Sequence, residues 1–331
     1  MNKLGKAIIA LLILCILGLT AYTLKYKVSQ NKNSYKAEDE LKDDISSIEV
    51  QSDPLIEDGI GLNYIGDGRN ENLTNNIRNS INEQIKDKKG FYSIGFWDLD
   101  TESKVMVNSK KTNAASVIKI FIMVEAYNQI DKEILKENEV ITLEDNMKVE
   151  GSGSLFKEKS GRGYKISELL DLMIIESDNT ATNILIDKLG MDNINNTIKE
   201  FGYTDTALNR KMMDKAKIDG GVDNYTSIID LNNMLYKIYN NECLGSYYDK
   251  KIIKTMKRQK NKTKIPSGLP SDIEVANKTG EIEKVENDVA IVFTDKGNYI
   301  ISILTNGDNN DLEKSTIVKL SKGIYETYMD N

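Results

Sequence analysis

Residues 113–129, "NAASVIKIFIMVEAYNQ", combine small residues, a serine, an apolar run and one lysine near the start of that run. Four apolar positions recur at the spacing of a helix, namely Val117, Ile120, Phe121 and Val124. Ser116 and Lys119 would lie one turn apart on the same face of this helix. Two readings follow: Lys119 extends its amine to solvent, or it serves Ser116 as a base.

The composition of the 331-residue chain limits the chemistry available to it. The chain has no histidine, which excludes Ser-His-Asp and Cys-His machinery and zinc sites that need imidazole. Acid–base chemistry must come from Lys, Asp, Glu, Tyr or a thiol, and we expect no metal or other cofactor. The net charge of −7 argues against a nucleic-acid partner. One basic run, residues 250–264, predicts a solvated helix face.

The chain begins with three segments of different character. Residues 7–24 are apolar and uncharged, close to the lower limit of about 17 residues for a membrane span. A secretory signal would share this layout, but no small-x-small cleavage site follows, which favours an uncleaved anchor within residues 1–24. Residues 25–70 are polar and predict a flexible linker. Residues 71–331 are expected to form the globular domain.

Strand patterns lie at both ends of the globular domain and helical patterns lie between them. "GFYSIGFWDLD" and "KVMVNS" alternate near the start, and "IEVANKTG", "DVAIVFT" and "NYIISILT" have strand character near the end. Helices are predicted before the first strand and after the last. We therefore predict an α+β fold: an antiparallel sheet from N- and C-terminal segments, flanked by the terminal helices, with an all-helical subdomain beside it.

The pattern Ser-x-x-Lys occurs three times, beginning at Ser29, Ser116 and Ser154. Ser29 lies in the linker, and Ser154 lies in a Gly-rich stretch that predicts a loop. Only Ser116 opens an apolar helix, where its hydroxyl would be close to the positive end of the helix dipole. An apolar environment would disfavour the charged form of Lys119 and leave it able to accept a proton.

Two further tripeptides follow in order. Ser177-Asp178-Asn179 has a structural explanation as a helix N-cap, and Lys278-Thr279-Gly280 could be a strand that ends in a turn. Together with Ser116-x-x-Lys119 they resemble the motif set of class A β-lactamases and the related penicillin-binding proteins. The resemblance covers roughly residues 73–328 and implies a β-lactamase/transpeptidase-like fold.

The resemblance also implies roles for individual residues. The catalytic residues would be the nucleophile Ser116, its base Lys119, the proton donor Ser177 and Lys278, which holds the substrate carboxylate. The substrate-binding residues would be Asn179, Thr279, Gly280 and Glu281, with the N–H groups of Ser116 and Glu281 as the oxyanion hole. The expected partner is a small-molecule β-lactam or a cell-wall peptide. We expect a monomer. Residues 7–24 would anchor it in the cell membrane, with the catalytic domain outside the cytoplasm.

One loop departs from the family pattern, in which an Arg is followed two residues later by the Glu that positions the hydrolytic water. Aligning on Arg210, with Asp223 as its closing partner, puts Met212 in place of the Glu. Asp214 is the nearest carboxylate and a candidate deacylation base. Three functions stay open: a β-lactamase with impaired deacylation, a D,D-peptidase of the penicillin-binding type, and a non-catalytic binder of β-lactams or muropeptides.

Overall fold

The computed structural model describes residues 64–67 and 70–331. The predicted anchor, residues 7–24, and most of the predicted linker lie outside the described residues. Within the described part, no helix combines the length and the apolar character that crossing a bilayer requires. The membrane anchor therefore stays a prediction.

Strands lie at both ends of the described domain and most helices lie between them, as the sequence predicts. The helices are α1 Glu71–Ile85, α2 Lys119–Asp131, α3 Ile166–Ile175, α4 Asn179–Leu189, α5 Met191–Glu200, α6 Lys215–Asp219, α7 Ile228–Tyr239, α8 Ser246–Lys257 and α9 Asn310–Asp330. The strands are β1 Tyr64–Asp67, β2 Phe91–Asp98, β3 Lys104–Val107, β4 Thr112–Asn113, β5 Val140–Thr142, β6 Gly163–Lys165, β7 Tyr225–Thr226, β8 Glu274–Ile282, β9 Val285–Phe293 and β10 Asn298–Asn306.

Six of these strands form one antiparallel sheet in the order β1-β3-β2-β10-β9-β8. The N-terminal and C-terminal segments meet at β2 and β10, which pair from Phe91 with Asn306 to Asp98 with Tyr299. This pairing confirms the predicted sheet built from both ends of the domain. It also leaves β8 at one edge, with β9 as its only neighbour in the sheet.

Apolar clusters cover both faces of the sheet. The terminal helices α1 and α9 pack together over one face, where Ile77, Ile81 and Ile317 are fully buried. Helix α7 packs on β2 and β10 from the other side, where a second cluster continues into the helices between α2 and α8. Because both faces are covered, nearly every residue of β2 and β10 is buried.

The sheet begins earlier than predicted. Strand β1, Tyr64–Asp67, pairs with β3 from Tyr64 opposite Val107 to Asp67 opposite Lys104. The expectation that residues 25–70 are linker throughout is therefore wrong at its C-terminal end. The physical reason is that an edge strand takes its stability from the hydrogen bonds that its neighbour supplies, and its own sequence carries little signal.

Candidate active site

Ser116 lies in a 3-10 turn, Ala115–Ile118, that leads directly into α2. Ala115 has a φ of +45°, a left-handed conformation that is unusual for a residue with a Cβ. Ser116 lines a cleft of about 440 Å3. The predicted one-turn separation from Lys119 is retained, although the serine precedes the α-helix proper.

Lys119 is completely buried, with a relative exposure of 0%, so the reading in which it reaches solvent is wrong. Its Nζ donates to the Ser177 carbonyl at 2.6 Å and to Asn179 Oδ1 at 2.9 Å, and it lies 3.2 Å from Ser177 Oγ. Burial lowers the pKa of Lys119 well below its usual range, and the nearby charge of Lys278 lowers it further. The first two motifs therefore meet in space.

Ser177 occupies the break between α3 and α4 with a φ of +55°. Asp178, which follows it, accepts hydrogen bonds from the backbone N–H of Ala181 at 2.8 Å and of Leu155 at 2.7 Å. The first contact caps α4, as the structural explanation of Asp178 predicts, and the second ties the cap to the segment around Leu155. They fix the turn that presents Ser177 on one side and Asn179 on the other.

Lys278 approaches Ser177 from strand β8. Its Nζ lies 3.0 Å from Ser177 Oγ and 2.6 Å from the carbonyl of Thr279. Burial is the main cause that lowers the pKa of Lys278 to about 7, with Asp288 opposing and Lys264 adding to the shift. The Ser177 hydroxyl is therefore within hydrogen-bond reach of two buried lysine amines.

Gly280 brings the edge of the sheet against the turn that carries Ser116. A Cβ at this position would lie 3.1 Å from both the Ser116 backbone nitrogen and the Ala114 carbonyl oxygen. Only glycine permits this approach without displacing backbone. The neighbouring Thr279 and Glu281 line the same cleft as Ser116, so the third motif joins the first two.

The loop between α5 and β7 is closed by the predicted ion pair. Arg210 Nη2 and Nε lie 2.7 and 3.1 Å from Asp223 Oδ1, which confirms that pairing. The Met212 side chain is buried, and its peptide groups are held by Asn183, which accepts from the Met212 N–H at 2.8 Å and donates to its carbonyl at 3.0 Å. Sequence reasoning missed Asn183, although it follows Asn179 by one helical turn on α4.

Asp214, the candidate deacylation base, is occupied elsewhere. Its Oδ1 accepts a hydrogen bond from the Lys217 N–H at 3.1 Å and caps α6. It is not among the residues that line the cleft around Ser116. The exposed Asp219 ends α6 and pairs with Lys215 at 3.2 Å. Neither carboxylate therefore takes the place of the missing Glu in this conformation.

Glu176 also lines the cleft. It accepts hydrogen bonds from Ser154 Oγ and Lys260 Nζ, each at 2.6 Å. These two hydrogen bonds lower the pKa of Glu176. The third Ser-x-x-Lys pattern thus places its serine, Ser154, in the wall of the cleft, where a carboxylate accepts its hydrogen bond.

The basic run 250–264 is not a solvated face throughout. Lys264 has a relative exposure of 0% and forms an ion pair with the buried Glu286 of β9. The expectation is therefore wrong at this residue. Glu286 lies on β9, well outside the local sequence around Lys264, so no local pattern predicts the ion pair.

The fold and the three converging motifs define a protein of the β-lactamase/transpeptidase-like class. The model of the beta-lactamase enzyme family matches residues 73–328. This chain belongs to that family.

Individual relatives agree with this assignment. Beta-lactamase 3 of Bacillus cereus is 27% identical over 265 residues, which cover 78% of this chain and 82% of that protein. The structure of PBP-A is similar with a TM-score of 0.72 at 26% identity, covering 78% of this chain and 97% of that one. An acyl-enzyme complex of a PBP-A mutant with penicillin G has the same TM-score and identity, covering 78% and 98%.

Proposed function

We propose that this protein is a serine hydrolase that β-lactams acylate at Ser116 and that releases the product slowly. The observation that carries the proposal is the position of Ser177. Its hydroxyl lies 3.2 Å from the Lys119 amine and 3.0 Å from the Lys278 amine, beside the cleft that Ser116 lines. This arrangement can move a proton without histidine.

The proton path follows from these contacts. The lowered pKa leaves a neutral fraction of Lys119 that accepts the Ser116 proton as Oγ attacks the lactam carbonyl. Lys119 then passes a proton to Ser177 across their 3.2 Å contact, and Ser177 protonates the leaving nitrogen. The lactam C–N bond breaks, the Ser116 ester forms, and Lys119 returns to its neutral state.

Lys278 and the backbone supply the electrostatic part. A protonated Lys278 attracts the carboxylate of a β-lactam and polarises Ser177. The N–H groups of Ser116 and Glu281 donate to the carbonyl oxygen as it becomes negative. Asn179, Thr279 and Gly280 complete the substrate-binding residues.

Deacylation is the weak step in this scheme. A thioether cannot take a proton from water, and the carboxylate nearest to Met212 in the loop, Asp214, caps α6. The acyl-enzyme should therefore accumulate. The same observation favours a second candidate, a D,D-peptidase of the penicillin-binding type that acts on cell-wall peptides. The penicillin G acyl-enzyme of the PBP-A mutant supports a common acylation step.

Localisation and assembly complete the proposal. The apolar residues 7–24 would anchor the chain in the cell membrane, with the catalytic domain outside the cytoplasm as a monomer. Flotation of membrane fractions and protease accessibility of intact cells test this part.

Mass spectrometry after mixing the protein with penicillin G tests the acylation. We expect a one-to-one adduct that appears quickly and disappears slowly. Ser116→Ala should remove the adduct, whereas Ser154→Ala, at another serine that lines the cleft, should keep it. An adduct on folded Ser116→Ala would disprove the assignment, and reversible binding without an adduct would favour a non-catalytic binder.

A further inference from the structure

A buried lysine outside the three motifs contacts the strand that carries Lys278. Lys264 Nζ donates to the carbonyl of Gly280 at 2.9 Å and to that of Asn287 at 3.2 Å. It forms an ion pair with Glu286, and Glu281 lies at 3.9 Å. A buried cation needs such a partner to remain charged, and Glu286 supplies it.

The carbonyl of Gly280 and the N–H of Glu281 belong to one peptide group. In a planar trans peptide the C=O and the N–H point in opposite directions. Lys264 also contacts Asn287 on β9, so the oxygen end of this peptide faces β9. The N–H of Glu281 therefore points away from β9, off the edge of the sheet, where Glu281 and Ser116 line the cleft.

We propose that Lys264 is a positioning residue that orients and polarises the Gly280–Glu281 peptide as an oxyanion donor. A positively charged amine next to the carbonyl oxygen polarises the peptide group and makes its N–H a stronger donor. The donor is then fixed before the substrate arrives, which is how preorganised sites stabilise developing charge. This inference rests on the proposed acylation of Ser116.

Lys262 provides a matched control two residues before Lys264, in the same segment between α8 and β8. Its Nζ donates to the carbonyl of Val275 at 3.1 Å and to Asn277 Oδ1 at 2.9 Å. Lys262 is partly buried, whereas Lys264 is completely buried, and the contacts of Lys262 lie before Lys278 on β8. If both lysines only supported β8, replacing either one would leave the oxyanion donor unchanged.

The test uses the infrared spectrum of the penicillin G acyl-enzyme, with carbon-13 at the reacting carbonyl. The double variant Lys264→Met/Glu286→Gln removes the buried charge without leaving a lone carboxylate. We expect its ester stretch at higher wavenumber and its acylation roughly tenfold slower, less than the 10²–10³-fold cost of losing a whole donor. Lys262→Met should change neither quantity.

Two results would overturn the inference. An unchanged ester stretch in the folded double variant would show that Lys264 does not act on the oxyanion donor, while the wild-type adduct would still uphold the proposed acylation. No adduct on the wild-type chain would overturn both. If the double variant does not fold, Lys264→Gln keeps a donor to Gly280 without the charge. A higher wavenumber in that variant supports the proposal, and an unchanged one refutes it.

Discussion

Ser177 is contacted by two buried amines, and charging both of them at once is energetically unfavourable. Lys119 and Lys278 are each completely buried, and the charge of Lys278 lowers the pKa of Lys119. One amine is therefore favoured as a neutral base and the other as a cation. The positions fit this division, because Lys119 lies one turn from Ser116 and Lys278 lies on the strand at the cleft edge.

Arginine substitutions should separate the two lysines. Lys278→Arg keeps a positive charge and should retain measurable acylation, whereas Lys119→Arg should abolish it, because a guanidinium does not give up its proton. The expected loss for Lys119→Arg is about 10²–10⁴-fold, the usual contribution of a general base. Rates of labelling by a fluorescent penicillin measure both. Equal rates in two folded variants would contradict the division.

The pH profile should show the same division. The pKa of Lys278 is lowered to about 7, so the cation is lost as the pH rises through that value. Second-order acylation by an anionic penicillin should therefore fall between pH 7 and 9. In Lys278→Arg the alkaline fall should disappear, because the guanidinium stays charged. Stopped-flow acylation across this range is the measurement, with Ser154→Ala as the control. A wild-type rate that is flat above pH 7 would show that Lys278 does not bind the carboxylate.

The loop between Arg210 and Asp223 is held by the ion pair at its ends and by two hydrogen bonds at Met212. The ion pair closes it, and Asn183 fixes the peptide groups of Met212 one helical turn from Asn179. The backbone at position 212 is therefore fixed, and Asn183, which holds it, lies one helical turn from Asn179 on α4. The chemistry of the side chain at position 212, and not the path of the loop, should decide the rate of deacylation.

Two substitutions in this loop should have different effects on deacylation. Met212→Glu supplies a base and should speed release of the penicilloyl group, by about 10²-fold if the base works as general bases usually do. Asp214→Asn should leave the release unchanged, because Asn also caps helices well and Asp214 serves that purpose here. Adduct lifetimes by mass spectrometry measure both. Slower release in Asp214→Asn would mean that the loop rearranges after acylation.

Elements with a strong internal pattern were predictable from sequence, and elements defined by their neighbours were not. The strands β2, β8, β9 and β10 and the helix after Ser116 follow from periodicity and β-branched composition. The motif residues of the site follow from resemblance. The contacts of Asn183 and Lys264 join segments that are distant in sequence, so no local pattern specifies them. Strand β1 was missed for the same reason.

The two edge strands of the sheet, β1 and β8, have different roles in the domain. Strand β8 forms one side of the cleft, whereas β1, which lies in the predicted linker, pairs with β3 at the other edge of the sheet. Removing β1 exposes the β3 edge and its unpaired peptide groups. The cleft lies at the opposite edge of the sheet and should not be affected.

Chains beginning at residue 60 and at residue 71 should therefore differ in stability but not in chemistry. We expect the shorter chain to lose about 1–3 kcal/mol in free energy of unfolding, since each net hydrogen bond contributes about 0.5–1.5 kcal/mol. Urea denaturation measures this difference, and penicillin labelling of both chains should be equally fast. Equal stabilities would show that β1 adds nothing to the domain.

The cleft joins three segments, and this makes acylation a reporter of chain assembly. Lys119 and Lys278 meet Ser177 from 58 and 101 residues away along the chain. Moreover, β8 reaches the sheet only through β9, and β9 only through β10. A nascent chain that ends before β10 therefore has no complete site for penicillin to label. The appearance of penicillin reactivity during refolding or export would then time the moment at which the C-terminal hairpin docks on the N-terminal strands.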